Sequence, residues 1–193
     1  KRMKNILAAI LLLTLFACQS TQNQIEDGYR LTQDEFKDFK RYSMPSAGEL
    51  DGAPMLSLSQ AFIEVFTDVK KESVGTTLAV ILHYEGWVFI NPGESLVLLV
   101  DGEKMPFVSP NGSAYNRGVL KGLAGAVGGV RVREEAHYPI TVEQIKKLAY
   151  AQDVKVRIYG SQGNVTREFN EDYFESLRAY YEKFILANGI VSI

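Results

Sequence analysis

Cysteine, histidine and tryptophan are scarce in this chain of 193 residues, which has one cysteine, two histidines and one tryptophan. A single cysteine excludes an intramolecular disulfide framework and a zinc site built from several cysteines. Neither an H-E-x-x-H pattern nor a G-x-S-x-G elbow occurs. The sequence therefore carries no motif of a zinc protease or an α/β-hydrolase, although a Ser-His-Asp site assembled in space stays open.

The sequence also lacks a large excess of positive over negative residues, or of negative over positive ones. The chain has 21 Lys and Arg against 23 Asp and Glu, which gives a formal net charge of −2. A nucleic-acid-binding protein needs a basic surface. The charge balance therefore argues against a nucleic-acid partner.

The first residues combine charge with a short apolar run. Three basic residues precede or adjoin an unbroken apolar run from Ile6 to Leu13, and Cys18 follows the small residue Ala17. This is the pattern of a secretory signal peptide. The run is shorter than the roughly 20 apolar residues of a transmembrane helix. We expect residues 1–17 to be a signal peptide.

The placement of Cys18 directly after Ala17 resembles the lipobox of bacterial lipoproteins, and the resemblance covers residues 1–18 only. It implies cleavage before Cys18, a diacylglycerol on its thiol and an acyl chain such as palmitate on its amine. The implied location is the cell envelope. Because Gln19 rather than an aspartate follows the cysteine, the resemblance favours the outer membrane, facing the periplasm, over the inner membrane.

A change in composition near Met55 predicts the domain organisation. Residues 18–54 are expected to form a polar tether with a short helix, for which Thr32-Gln33-Asp34-Glu35 supplies a capping-box pattern. A loop is the alternative for that helix. Residues 55–193 are expected to form a single α+β domain, since their length and apolar content suffice for one core.

Strand patterns dominate the first half of this domain. Residues 58–69 could be a helix, but their dense β-branched residues favour a strand. Residues 77–84 are apolar enough for a central strand, and Asp101-Gly102 predicts a hairpin whose second arm, with Pro106, lies at a sheet edge. Further strands are predicted at residues 130–138, 154–159 and 165–169.

Two helices are predicted in the second half, one after the capping box Thr141–Gln144 and one after the N-cap Asn170. The second helix has an aromatic face from Tyr173 to Ile185, which favours a core role, with a docking surface as the alternative. The expected fold class is α+β: a mainly antiparallel β-sheet of meander and hairpins, with two or three helices packed on one face.

The stretch 118–129 is rich in glycine and has no lysine and hydroxyl after it, as a phosphate-binding loop would need. It is expected to be a mobile or closely packed connection. A loop that touches the membrane is the alternative.

The weak candidates for a polar site are His83, Glu85, Glu135 and His137. Each histidine lies two residues from a glutamate, so the two side chains of each pair share one strand face. Such pairs suit either a metal or simple surface pairing, and no metal or cofactor is assigned. The neighbouring carboxylates Glu134 and Glu135 are interpreted as a solvated face.

The leading hypothesis is a membrane-anchored bacterial envelope lipoprotein that acts as a non-enzymatic binding or assembly module. Its expected partners are the membrane, through the lipid on Cys18, and another envelope protein. The alternatives are a periplasmic hydrolase acting on cell-wall or lipid material, and a carrier of a small ligand or lipid, which would need an apolar cavity.

Overall fold

The structure is a computed structural model that describes residues 21–26, 28–34, 38–45, 48–52, 59–71, 73–84, 86–121 and 127–190. The predicted signal peptide with Cys18, and the candidate Glu85, lie outside the described residues. Within the described ranges, no helix has the length and apolar character needed to cross a membrane.

The described residues form twelve strands in two antiparallel sheets. The larger sheet has the order β1-β2-β3-β5-β6-β10-β9, with β4 paired to β5, and the smaller sheet has the order β12-β11-β7-β8. The strands are β1 (Thr21–Glu26), β2 (Tyr29–Asp34), β3 (Phe39–Ser43), β4 (Gly48–Glu49), β5 (Gln60–Lys70), β6 (Ser73–Tyr84), β7 (Gly93–Val100), β8 (Glu103–Ser109), β9 (Ser113–Lys121), β10 (Val127–Pro139), β11 (Val154–Gly160) and β12 (Gly163–Glu168). The predicted α+β class with mainly antiparallel strands is confirmed.

Both predicted helix starts are present. Helix α1 (Val142–Ala149) begins at Thr141, whose side chain and that of Gln144 complete the capping box. Helix α2 (Glu171–Tyr180) begins at Asn170, whose side chain accepts a hydrogen bond from the Tyr173 amide at 2.9 Å. It continues as a π-helical segment, Tyr181–Leu186.

One buried cluster joins the two sheets and the helices. Alternate residues of β5 and β6 contribute to it, as do alternate residues of β7 and β11. The aromatic face of α2 belongs to the same cluster, because Tyr173, Leu177 and Tyr180 are fully buried. The core interpretation of this face is therefore confirmed.

The short helix predicted after Thr32 is wrong. Strands β2 and β3 occupy this region, and β3 pairs with β5 of the larger sheet. The ring of Tyr42 stacks on Phe184 at 4.5 Å, and Tyr29 lies 5.3 Å from the same ring. Sheet pairing and these ring contacts outweigh the local helical pattern, so residues 29–34 and 39–43 are strands of the sheet.

The strand predictions of the first half hold. Of the predicted strand 58–69, residues 60–69 lie in β5, and the apolar run 77–84 lies in β6, between β5 and β10. Asp101 and Gly102 have φ values of 48° and 86°, as a two-residue hairpin turn requires. Pro106 lies in β8, an edge strand of the smaller sheet. These predictions are confirmed.

The connection predicted for residues 118–129 is wrong where the structure describes it. Residues 113–121 and 127–139 form the paired strands β9 and β10. The register shifts between Val127 and Val130, at the pair Gly128-Gly129. Glycines at an irregularity of this kind are compatible with a strand.

Candidate functional site

The face of the larger sheet that points away from the buried cluster, here called the outer face, holds the described site candidates. Across the β6–β10 pairing, His83 lies opposite Arg133 and His137 lies opposite Ala79. Paired residues of antiparallel strands point to the same side, and so do residues two apart. His83, Glu135 and His137 therefore share the outer face, as the spacing predicted for the pair Glu135 and His137 of β10.

Arg133, Glu135 and His137 form a connected charged row along β10. The Arg133 Nη2 atom lies 2.6 Å from Glu135 Oε2, and His137 Nε2 lies 2.8 Å from Glu135 Oε1. The hydrogen bond from His137 lowers the pKa of Glu135, burial opposes this, and the charge of Arg133 lowers the pKa further. The carboxylate is therefore ionised at neutral pH and accepts from both neighbours.

This row forms one wall of a cleft of about 420 Å³. The rest of its lining is the segment Ser109–Ala114, which contains the turn between β8 and β9. The turn is braced from within, because Ser109 Oγ accepts from the Gly112 amide at 3.2 Å and Ser113 Oγ donates to Glu134 Oε2 at 3.2 Å. The cleft is thus lined by a fixed turn and a fixed row of charges.

Glu134 is a buried carboxylate, only 1 % exposed. It accepts hydrogen bonds from the amides of Val88, Phe89 and Ile90 at 2.6, 3.1 and 3.1 Å, besides that from Ser113. The solvated-face interpretation is therefore wrong for Glu134. Strand alternation turns this side chain inward, where four donors replace water.

A second set of charges lies beside the first on the outer face. Arg41 binds Asp68 through two hydrogen bonds of 2.7 and 2.9 Å, and its guanidinium lies 3.8 Å from the ring centre of Phe66. The hydrogen bond to Asp68 is the largest cause that raises the pKa of Arg41. The edge of the His137 ring contacts Phe66 with 5.8 Å between centroids, so the two sets of charges meet across this phenylalanine.

The chemistry of His137 is set by its partner. An ionised carboxylate only accepts, so Nε2 carries the proton and Nδ1 is the acceptor of the neutral ring. The hydroxyls of Ser109 and Ser113 engage Gly112 and Glu134 instead of this ring. Within the residues that the structure describes, no group of three or more His, Cys, Asp or Glu could hold a metal ion.

Sequence reasoning did not single out Arg133 or the turn as parts of one site. For Arg133 the signal was present, since it is two residues from Glu135 and four from His137 and therefore shares their strand face. No local signal places the turn beside them, because that placement depends on the β9–β10 pairing. Comparison of the chain with protein-family models, curated proteins and solved structures gave no match.

Proposed function

We propose that the chain is a membrane-anchored lipoprotein of a bacterial cell envelope, on the periplasmic side of the outer membrane, that acts as a non-enzymatic binding or assembly module. The anchor is supported by the sequence pattern that ends at Cys18. A diacylglycerol and an acyl chain on the same cysteine would attach the protein stably to the membrane, since each buried methylene contributes about 0.8 kcal/mol.

The observation that carries the binding role is the charged row at the wall of the cleft. Exposed ion pairs contribute only about 0–1 kcal/mol to stability, so a row of them is a weak explanation of folding. Arg133 and His137 are about half exposed, with 44 % and 53 % of their side chains accessible, yet Glu135 holds both in place. Side chains held in one geometry lose little entropy when a partner binds.

We also propose that the two helices pack on one face of the fold, as the sequence suggested. The support comes from α2, whose Tyr180 hydroxyl lies 2.7 Å from Thr67 Oγ1 of β5. The ring of Tyr173 lies against Gly48, where a Cβ atom would be 2.1 Å from the ring. Both contacts join α2 to the larger sheet.

Hydrolysis is the second candidate. It is favoured by the Glu135–His137 pair, since a carboxylate-oriented histidine can serve as a general base. It would need a nucleophile or an activated water at Nδ1. A screen of cell-wall and lipid substrates should then show turnover in the wild type that His137→Ala abolishes.

The test of the binding role uses the lipidated full chain in membranes of its own host. A photo-crosslinking amino acid at Ala114, which lines the cleft, is compared with the same amino acid at Lys146, an exposed residue of α1. We expect one discrete product from position 114, none from position 146, and loss of that product in the Glu135→Gln background. No product that depends on Glu135 would overturn the binding role of the cleft.

The anchor is tested separately with a clickable fatty acid. We expect labelling of the wild type and none of Cys18→Ala, which should also leave the membrane fraction. Labelling that persists in Cys18→Ala would overturn the lipobox assignment without affecting the test of the cleft.

A further inference from the structure

Strand β1 begins three residues after Cys18. It is an edge strand of the larger sheet and pairs in register with β2 along its whole length. In the sequence, Gln19 and Ser20 alone separate its first residue, Thr21, from Cys18. Three residue steps of a fully extended chain span at most about 11 Å. Whatever path Gln19 and Ser20 follow, Thr21 therefore lies within this distance of the Cα atom of Cys18.

A row of paired residues crosses the larger sheet from Thr21. Thr21 pairs with Asp34, Asp34 with Phe39, Phe39 with Lys70, and Lys70 with Ser73. These five residues, here called the anchor end, are each the first or last residue of their strands. Neighbouring strands are about 4.8 Å apart, so the row from the first to the fifth residue is about 19 Å long.

The charged row of the cleft lies at some distance from the anchor end. Strand β6 runs from Ser73 at the anchor end to Tyr84, and its 12 residues span about 36 Å at about 3.3 Å per residue. The charged row of β10 pairs with residues 79–83 of β6, which are six to ten residues from Ser73. The charged row is therefore about 20–33 Å from the anchor end along the strands.

The hairpin of β1 and β2 is attached to the rest of the domain. Strand β2 pairs with β3, and the ring of Tyr29 lies 5.3 Å from that of Phe184. At the hairpin turn, Gly28 lies against Lys183, where a Cβ atom on the glycine would be 2.5 Å from the Lys183 Cβ. An anchor close to Thr21 therefore holds the folded domain near the membrane.

The exposed side chains beside the anchor end are compatible with a lipid surface. Lys70 and Lys71 are exposed, and Val74 is an exposed apolar residue at 43 %. Surfaces that bind membranes combine basic side chains with apolar ones. The exposed Asp38 and, in the sequence, Glu72 offset these lysines. Net charge therefore does not decide which end faces the membrane, whereas the short connection to Cys18 does.

We propose that the anchor end lies against the phospholipid head groups of the membrane and that β6 points away from the bilayer. This orientation rests on the proposed lipid on Cys18 and adds which end of the domain meets the bilayer. It presents the charged row to a partner about 20–33 Å from the anchor end. A domain lying flat would instead bring both ends of β6 to the head groups.

Gly75 and Gly86 are matched probe positions near the two ends of β6. Gly75 is two residues after Ser73, and Gly86 is two residues after Tyr84. A Cβ atom at either glycine would meet nothing within 4 Å, and neither glycine has a positive φ. Cys18 is the one cysteine of the chain, and its thiol would carry the lipid. Gly75→Cys and Gly86→Cys therefore each introduce a single free thiol for labelling.

The test measures how close each position lies to the head groups. Each lipidated variant is labelled with a nitrobenzoxadiazole fluorophore and reconstituted into vesicles of phosphatidylethanolamine and phosphatidylglycerol. A lipid with a nitroxide on its head group then quenches any fluorophore that it contacts. We expect the probe at position 75 to lose most of its emission and the probe at position 86 to lose almost none. Equal quenching, or stronger quenching at position 86, would overturn the orientation.

Lys71→Cys supplies a second probe at the anchor end, at an exposed residue of the turn between β5 and β6. We expect it to be quenched like the probe at position 75. If the melting temperature of Gly75→Cys falls below that of the wild type, Lys71→Cys replaces it in the comparison with position 86. Emission at position 71 that the nitroxide leaves unchanged would also overturn the orientation.

Flotation of the same vesicles separates this orientation from the anchor itself. The labelled variants should float with the vesicles, and the same variants carrying Cys18→Ala should not. Variants with Cys18 that do not float would overturn the anchor and the orientation with it. Variants that float but show equal quenching at positions 75 and 86 would overturn the orientation alone.

Discussion

Glu134 and Glu135 are consecutive carboxylates on opposite faces of one strand, and their surroundings differ accordingly. Glu134 points inward and accepts from three loop amides and the Ser113 hydroxyl. Glu135 points outward and links Arg133 to His137 beside the cleft. The first carboxylate binds the backbone amides of residues 88–90 and the Ser113 hydroxyl beside the cleft, while the second links the residues of the charged row.

Replacing each carboxylate by its amide should therefore have unequal effects. Glu134→Gln places a donor NH₂ group next to other donors and removes the negative charge that accepts four hydrogen bonds. We therefore expect a loss of about 2–3 kcal/mol in the free energy of unfolding. Glu135→Gln, the matched control, should cost about 1 kcal/mol or less. Urea unfolding measures both, and equal losses would contradict the buried role of Glu134.

The pH dependence of stability should reveal Glu135. Its pKa is lowered in the folded state from the ordinary 4.5, so the carboxylate stabilises the fold above that pH. This contribution is lost as the pH falls through the folded pKa. Urea unfolding from about pH 7 to about pH 3 should show wild type and Glu135→Gln converging in acid. A constant difference across this range would show that the ionised form contributes nothing.

The sequence predicted those elements whose local pattern agrees with their tertiary role. The Asp101-Gly102 turn, the Thr141 and Asn170 caps and the apolar run of β6 each follow from residues that are adjacent in sequence. The helix prediction after Thr32 was wrong because the spacing of the apolar residues there suits a helix, whereas pairing with β5 and the ring contact between Tyr42 and Phe184 favour strands.

The candidate site was predictable only in part for the same reason. Residues two apart on β10 share a face, so Glu135 and His137 could be paired from their spacing. The burial of Glu134 could not be predicted from the sequence, because its partners Val88 and Ser113 are distant in the sequence and are brought to it by the fold. The left-handed backbone of Phe89, with a φ of 51°, has no sequence signal, since phenylalanine predicts an ordinary strand or helix conformation.

Two buried tyrosines of α2 offer a matched comparison of hydroxyl groups. The Tyr180 hydroxyl lies 2.7 Å from Thr67 Oγ1 and donates to the Tyr42 carbonyl at 3.2 Å. The Tyr173 hydroxyl is buried and has no hydrogen-bond partner among the described residues. Tyr180→Phe should lower the free energy of unfolding by about 1 kcal/mol, and Tyr173→Phe should leave it unchanged or raise it. A larger loss in Tyr173→Phe would contradict this assignment.

The membership of β3 in the domain can be tested at Tyr42. Its ring stacks on Phe184 at 4.5 Å and lies 5.7 Å from the ring of Tyr29. Tyr42→Ala therefore removes the packing against the π-helical segment after α2 and also the contact with Tyr29. We expect a loss of about 2 kcal/mol in the free energy of unfolding. Lys40→Ala, an exposed position of the same strand, should change it by less than about 0.5 kcal/mol. If residues 39–43 belonged to a polar tether, neither substitution would change the free energy of unfolding. Negligible effects of both substitutions in urea unfolding would therefore contradict the packing of β3 in the domain.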